Sequence, residues 1–255
     1  MKLATWNVNS LKVRLPQVLD FLAAHRPDAL CLQETKSEDA NFPLSDIQAA
    51  GYSSAFAGQK TYNGVAILSP TAATDISVGI PNLDDPQKRV IAVTLQDVRV
   101  VCVYVPNGES VESDKYRYKL DWLRKLTEWL KQELAQRPKL ALLGDYNIAP
   151  EDRDVHDPRV WQGKVLFSEP EKAAFRDLVA LGLTDSFRLF DQPEKSYTWW
   201  DYRMNGFKRN LGLRIDHILL SDTLAKRCKS CSIDRAMRAN ERPSDHAPVI
   251  AEIAD

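Results

Sequence analysis

The run Leu140-Ala141-Leu142-Leu143 stops at Gly144 and delivers Asp145 and Asn147, two residues apart. Four apolar residues bounded by a glycine read as a buried strand. On an extended backbone, residues i and i+2 point the same way, so the acid and the amide share one face at the strand's mouth. The pattern recurs. Leu3-Ala4-Thr5-Trp6 is followed by Asn7 and Asn9, and Ala29-Leu30-Cys31-Leu32 by Gln33 and Glu34. Near the C-terminus come Arg214-Ile215-Asp216-His217-Ile218-Leu219-Leu220 and Ser244-Asp245-His246-Ala247-Pro248-Val249. If these ends converge, Asn7, Glu34, Asp145, Asn147, Asp216, Asp245 and His246 share one cavity. Oxygen donors with one imidazole and no cysteine suit a hard cation, Mg²⁺ or Mn²⁺. A histidine beside an aspartate suits acid–base or phosphate-stabilising work.

The rest of the chain is compatible with a large buried core. It has 255 residues, 44% of them hydrophobic, and no stretch of about 18 apolar residues that would read as a membrane span. The N-terminus turns polar at Asn7, so no signal-peptide core is expected. Cys31 and Cys102 sit in apolar runs and read as small buried hydrophobes. Cys228-Lys229-Ser230-Cys231 is a C-x-x-C without a second pair, which is weak evidence for zinc. A reducing cytoplasm fits all four. Net charge is −1, from 34 basic and 35 acidic residues. That balance argues only weakly against nucleic acid, because the local field steers a phosphate backbone.

Apolar strand-like runs alternate with helical patterns, an α/β organisation. Pro16 marks a helix start, followed by Val18, Leu19, Leu22 and Ala23. Asp114 caps a long helix whose stripe is Leu120, Leu123, Leu126, Leu130 and Leu134, ending before Pro138. A third helix spans about Glu171 to Leu181 and closes at Gly182. Strands are expected near 2–6, 28–33, 52–57, 64–69, 74–79, 89–95, 98–105, 139–144, 196–200, 214–220 and 247–253. Many are short and hairpin-linked, as through Gln96-Asp97. This is not the regular rhythm of an all-parallel sheet. It suggests mixed sheets stacked face to face, with helices outside. No linker, repeat or composition break appears, so one domain over 1–255 is expected.

The motifs resemble those of the exonuclease III family, in the endonuclease/exonuclease/phosphatase superfamily. They are Thr5-Trp6-Asn7-Val8-Asn9-Ser10, Leu32-Gln33-Glu34-Thr35-Lys36, Tyr104-Val105-Pro106-Asn107-Gly108, Gly144-Asp145-Tyr146-Asn147-Ile148-Ala149, Thr198-Trp199-Trp200-Asp201-Tyr202-Arg203, Gly212-Leu213-Arg214-Ile215-Asp216-His217 and Ser244-Asp245-His246-Ala247-Pro248. One alone is weak; seven in family order across nearly the whole chain are specific. The resemblance implies a deoxyribonuclease I-like four-layer α/β sandwich, two mixed β-sheets flanked by helices, with the site at one end. It implies a Mg²⁺-dependent DNA repair nuclease: a 3′→5′ exonuclease with abasic-site endonuclease and 3′-end-cleaning activity. The partner is double-stranded DNA with abasic sites or 3′ ends. A monomer in the cytoplasm, working on the nucleoid, is expected.

In this context Glu34 is the leading cation ligand, with Asn7 holding the cation and Asp145. Asp145 orients or deprotonates the attacking water and Asn147 fixes its geometry. Asp216 sets the imidazole of His246, which faces the phosphate. Asp245 reaches a second cation through water. By resemblance the Tyr104 hydroxyl and the Asn107 amide contact the scissile phosphate, and Tyr104 stays a rival to Asp145 as the water-activating group. Asn9 stands where some relatives carry an aspartate. An amide binds a hard cation less strongly, which favours one tightly held cation.

For DNA, Lys115 and Lys119 share a helix face in a basic stretch interleaved with aromatics. Lys88-Arg89 and Arg203 to Arg209 are further phosphate-contact candidates. The resemblance places Trp199 in a small pocket that receives an abasic sugar, with Leu213 opposite; such a pocket selects an extruded sugar by shape. Leu166 borders that pocket and is expected to crowd it, favouring 3′-end trimming. His25, His156 and His217 read as structural. Two rivals keep the fold: a phosphoesterase acting outside DNA, and a binding protein with a decayed site. The second is disfavoured because every proposed catalytic position carries a competent side chain.

Overall fold

The computed structural model describes residues 1–254. Its strands in chain order are β1 (Lys2–Asn7), β2 (Ala29–Gln33), β3 (Ser53–Ala57), β4 (Val65–Ser69), β5 (Thr74–Val78), β6 (Val90–Leu95), β7 (Val98–Tyr104), β8 (Leu140–Asp145), β9 (Leu183–Asp185), β10 (Trp199–Trp200), β11 (Gly212–Leu213), β12 (Asp216–Ser221), β13 (Cys228–Ile233) and β14 (Val249–Ile253). The helices are α1 (Leu11–His25), α2 (Leu44–Ala49), α3 (Asp114–Gln136), α4 (Pro158–Trp161), α5 (Glu169–Ala180) and α6 (Asp222–Ala225).

Two six-stranded mixed sheets form, ordered β13-β14-β1-β2-β4-β3 and β5-β6-β7-β8-β12-β9, with β10-β11 as a separate ribbon. Side chains alternate across each sheet, so each strand feeds two apolar layers. Ile67, Cys31, Val100, Leu143 and Ile218 fill the layer between the sheets. Trp6, Phe21, Leu22 and Leu30 join α1 to the first sheet. Trp122, Leu126, Leu130, Phe175 and Leu142 join α3 and α5 to the second. This is the expected four-layer α/β sandwich. Each such fully buried side chain contributes about 1.5–3 kcal/mol.

Local expectations needed correction in several places. α1 begins at Leu11, five residues before Pro16, and Pro16 lies inside it. The buried stripe is Leu11, Val18, Phe21 and Leu22, while Ala23 is exposed. The cap of α3 is Ser113, whose side chain accepts from the Tyr116 N–H at 3.1 Å; Asp114 is the first helical residue. The aromatics Tyr116, Trp122 and Trp129 belong to its buried face. α5 starts at Glu169, closed by a capping box between Ser168 and Glu171. The strand expected at 196–200 shrinks to Trp199–Trp200. β13 has no sequence signal because it is an edge strand paired only with β14, carries a bulge between Cys228 and Ser230, and exposes polar residues. It holds the C-x-x-C, and all four cysteines are free.

Candidate active site

Strand register delivers the polar ends to one place. β7 runs parallel to β8 with Tyr104 opposite Asp145, and β12 runs antiparallel to β8 with Asp216 opposite Asp145. Gly144 makes the close approach possible: a Cβ there would meet the Val103 carbonyl oxygen at 1.9 Å. On the other sheet, β1 pairs parallel with β2, placing Asn7 opposite Gln33 and beside Glu34. β14 pairs antiparallel with β1, so the segment before it returns His246 to the same end. That segment is tied down by Ser244, whose hydroxyl donates to the Asn7 carbonyl at 2.6 Å, and by the Trp6 indole donating to the His246 carbonyl at 3.2 Å.

Asn7 Nδ2 donates to Glu34 Oε1 and to Asp145 Oδ2, both at 2.9 Å, linking the two sheets. The backbone N–H of Asn147 holds Asp145 Oδ1 at 2.9 Å. His246 Nδ1 meets Asp216 Oδ2 at 2.8 Å, and its Nε2 lies 3.8 Å from Asp145 Oδ2. Thr198 Oγ1 accepts from the N–H groups of Ile215 and Asp216, fixing where β12 begins. Burial alone would push the His246 imidazole down, but Asp216 and then Asp145 outweigh it and raise it to about 10. Burial raises Asp145 to about 7, with His246 opposing and Asp216 adding. Burial, then Glu34 and Asp145, hold the Tyr104 phenol well above its ordinary value. The Arg89 guanidinium lies over its ring at 4.7 Å.

A cation fits the donor set. One ligand atom each from Glu34, Asp145 and His246 lies within 4.8 Å of the others. The imidazole Nδ1 is engaged by Asp216, so Glu34 and Asp145 offer oxygens to this cluster and His246 offers Nε2. Asp216 Oδ1 is buried with no hydrogen-bond partner, a further uncompensated oxygen at this end. The other nominated ligands are placed differently. Asn7 turns its nitrogen to the carboxylates, while its oxygen accepts from the Asn9 N–H. Asn147 turns its nitrogen to Val105 O and Asp145, and its oxygen accepts from Asn107 Nδ2 at 3.2 Å. Asp245 accepts from Asn9 Nδ2 and from the Trp199 indole, both at 2.9 Å, and is outside the cation cluster.

A cavity of about 180 Å³ joins Glu34, Tyr104, Asn107, Asp145, Asn147 and His246 to Leu166, Trp199, Ile215 and Asp245. Leu166 and Trp199 therefore line it as expected. Leu213 does not: it is fully buried behind, paired with Trp199, and Ile215 takes the wall. Lys119 is a larger correction. It is 0% exposed, ion-paired with the equally buried Glu171, and donates to the carbonyls of Asn107 and Asn147. Lys115 alone of that pair faces solvent, beside Glu109 at 3.2 Å. Lys36 was not foreseen; its ammonium bridges Glu34 Oε2 at 2.9 Å and Asn9 Oδ1 at 2.5 Å. The i, i+2 rule does not reach it, because Glu34 and Lys36 both have φ of +50°. His217, His25 and His156 are structural, bonded to Arg214 and Ile148 O, to Asp234, and to Gly212 O.

Comparison with known proteins follows the same lines. The endonuclease/exonuclease/phosphatase family matches residues 4–246. Exodeoxyribonuclease III of Haemophilus influenzae is 37% identical, covering 99% of both chains. Among solved structures, a 3′ phosphatase from Neisseria bound to a product DNA hairpin is 50% identical with a TM-score of 0.98, and an AP endonuclease from Archaeoglobus fulgidus is 39% identical with a TM-score of 0.96. Both superpose over 100% of each chain.

Proposed function

The chain belongs to the endonuclease/exonuclease/phosphatase family, and on that premise we propose that it is a Mg²⁺- or Mn²⁺-dependent DNA repair nuclease. It trims duplex DNA from 3′ ends, clears blocked 3′ ends and cuts at abasic sites. Residues 1–255 act in this proposal as one catalytic domain and as a monomer. The observation that carries it is the Asn7 amide bridging Glu34 and Asp145 at 2.9 Å each, directly across from a charged imidazole. Carboxylates on one side and a fixed positive group on the other suit a phosphoryl group between them.

Glu34 and Asp145 would hold the cation, which would supply Lewis-acid stabilisation of the phosphoryl charge. Asp145 takes the proton of the attacking water, and Asn147 holds its second oxygen in line. A carboxyl raised to about 7 is matched to that task near neutral pH, although a bound cation draws it down. The Tyr104 phenol, held protonated, donates to a phosphate oxygen together with the Asn107 amide. This favours Asp145 over Tyr104 as the base. The His246 imidazolium faces the phosphate, steadied by Asp216. Asp245 positions Trp199 and Asn9 through its two hydrogen bonds.

Leu166 biases the pocket toward 3′-end trimming. Its φ is +75°, a left-handed conformation that favours glycine, and its side chain stands in the cavity beside Trp199 and Ile215. Two end-labelled duplexes test the proposal, one blunt and one with an internal abasic analogue, each in Mg²⁺ and in EDTA. A Mg²⁺-dependent ladder is expected on the blunt duplex, lost in Glu34→Ala. Leu166→Gly should raise abasic cutting relative to the ladder by about tenfold; an unchanged ratio removes the role of Leu166. No cleavage of either duplex would move the activity to a phosphoester outside DNA.

A further inference from the structure

We propose that the buried Lys119–Glu171 ion pair is the positioning unit of the catalytic cleft, setting both its polar wall and the place of Leu166. Lys119 lies buried in the second turn of α3 and its ammonium donates to three acceptors: Glu171 Oε1, Asn107 O at 3.1 Å and Asn147 O at 2.7 Å. Asn107 and Asn147 line the cleft, and their loops belong to different parts of the chain. Glu171 uses its other capacity on the opposite wall. Its Oε1 also accepts from the Leu166 N–H at 2.9 Å, and its Oε2 accepts from the Ser168 N–H and hydroxyl at 3.0 and 2.5 Å. The Ser168 hydroxyl meets the Tyr116 hydroxyl at 2.6 Å, returning the network to α3.

Both charged groups are 0% exposed. A fully buried pair contributes little net stability over apolar side chains of similar size, so stability alone does not account for it. What it does is fix three loops in one frame. The left-handed Leu166 backbone is held from both sides, by Glu171 on its N–H and by the Ala149 N–H on its carbonyl at 2.8 Å. Without that grip the leucine relaxes and the pocket it crowds changes shape. The inference rests on the nuclease reading above, and the parent protein run alongside keeps the two separable.

The test is Lys119→Met with Glu171→Gln, which removes both charges together and leaves no lone buried ion. A glutamine keeps one acceptor oxygen, so its nitrogen opposes either the Ser168 or the Leu166 donor. On the blunt duplex kcat should fall about 10²-fold, the cost of a misplacement near 1 Å, with KM little changed. The ratio of abasic to blunt-end cutting should also shift, at a melting temperature that still reports a folded protein. A lowered melting temperature with unchanged kcat and ratio would assign the pair a structural role only and overturn the proposal. Ser168→Ala covers the case in which the double variant does not fold. It keeps both charges and removes one hydroxyl from Glu171; a smaller shift of the same ratio supports the proposal, and no shift overturns it. If the parent cuts neither duplex, the nuclease reading fails first and takes this inference with it.

Discussion

Asp216 and His217 are neighbours on β12, and their side chains lead to two buried charge clusters of opposite character. On one face, His246 sits between Asp216 and Asp145 and is raised to about 10. On the other, His217 is lowered to about 4 by burial and by the Arg214 guanidinium, with Asp185 opposing. Burial is nearly equal for the two rings, at 4% and 1% exposure, so it does not separate them. The partners do. His217 Nδ1 accepts from Arg214 at 2.9 Å and its Nε2 donates to Ile148 O at 2.9 Å, a neutral tautomer locked from both ends. Arg214 is already satisfied by Asp154 and Asp185. That cluster balances its charges. The other has two buried carboxylates and one cation of its own, with a free oxygen on Asp216. The balanced side supports the fold; the unbalanced side is where a reaction can be run.

Breaking the active side gives the largest effect. His246→Asn keeps a hydrogen-bonding side chain and removes the charge, and should lower kcat on duplex DNA by about 10²–10⁴-fold with a near-parental melting temperature. Steady-state cleavage of an end-labelled duplex checks it; a kcat equal to the parent's would leave His246 without a direct part.

Asp154→Asn strikes the structural side. It removes the negative charge shared by Arg214 and Arg188, both bound to that carboxylate, and leaves Asp185 to face the buried Arg214 guanidinium. Denaturant melts should show a loss of about 3–5 kcal/mol. The contrast is sharpened if cleavage by the fraction that stays folded is unchanged.

The smallest effect is a pH slope of stability. An unfolded histidine titrates near 6.5 and the folded His217 near 4, so between these values the unfolded chain binds more protons. Stability is full above pH 6.5 and is lost as pH falls toward 4, by on the order of 3 kcal/mol. Guanidinium midpoints at pH 7 and 4.5 measure this, and His217→Gln should flatten the slope. His246 has the opposite sign. Its stabilisation is complete below pH 6.5 and is lost as pH rises through about 10, so in cation-free buffer the two residues tilt the profile from opposite ends.

Much of this was legible in the chain. The apolar runs and the acids at their ends are local features, read by alternation and by motif, and Glu34, Asp145, Asp216 and His246 all reached the site. Three placements were not legible. Lys119 reads as a solvated lysine on a basic helix, because nothing in its own segment announces Glu171, 52 residues later. Leu213 and Ile215 lie two residues apart, so alternation does not separate them; pairing with Trp199 buries Leu213, and Ile215 meets the cavity. Lys36 and Glu34 are both left-handed, and alternation does not hold there.

The sequence by itself determined the α/β layering, the polar strand ends and the family. Those depend on side-chain periodicity and on short motifs, which act within a few residues. Tertiary structure alone decided that the His246 ring is raised and the His217 ring lowered, and which lysine is buried. Those outcomes depend on the sum of charges and solvent removed at a point, and the groups that make up that sum arrive from strands and helices far apart in the chain.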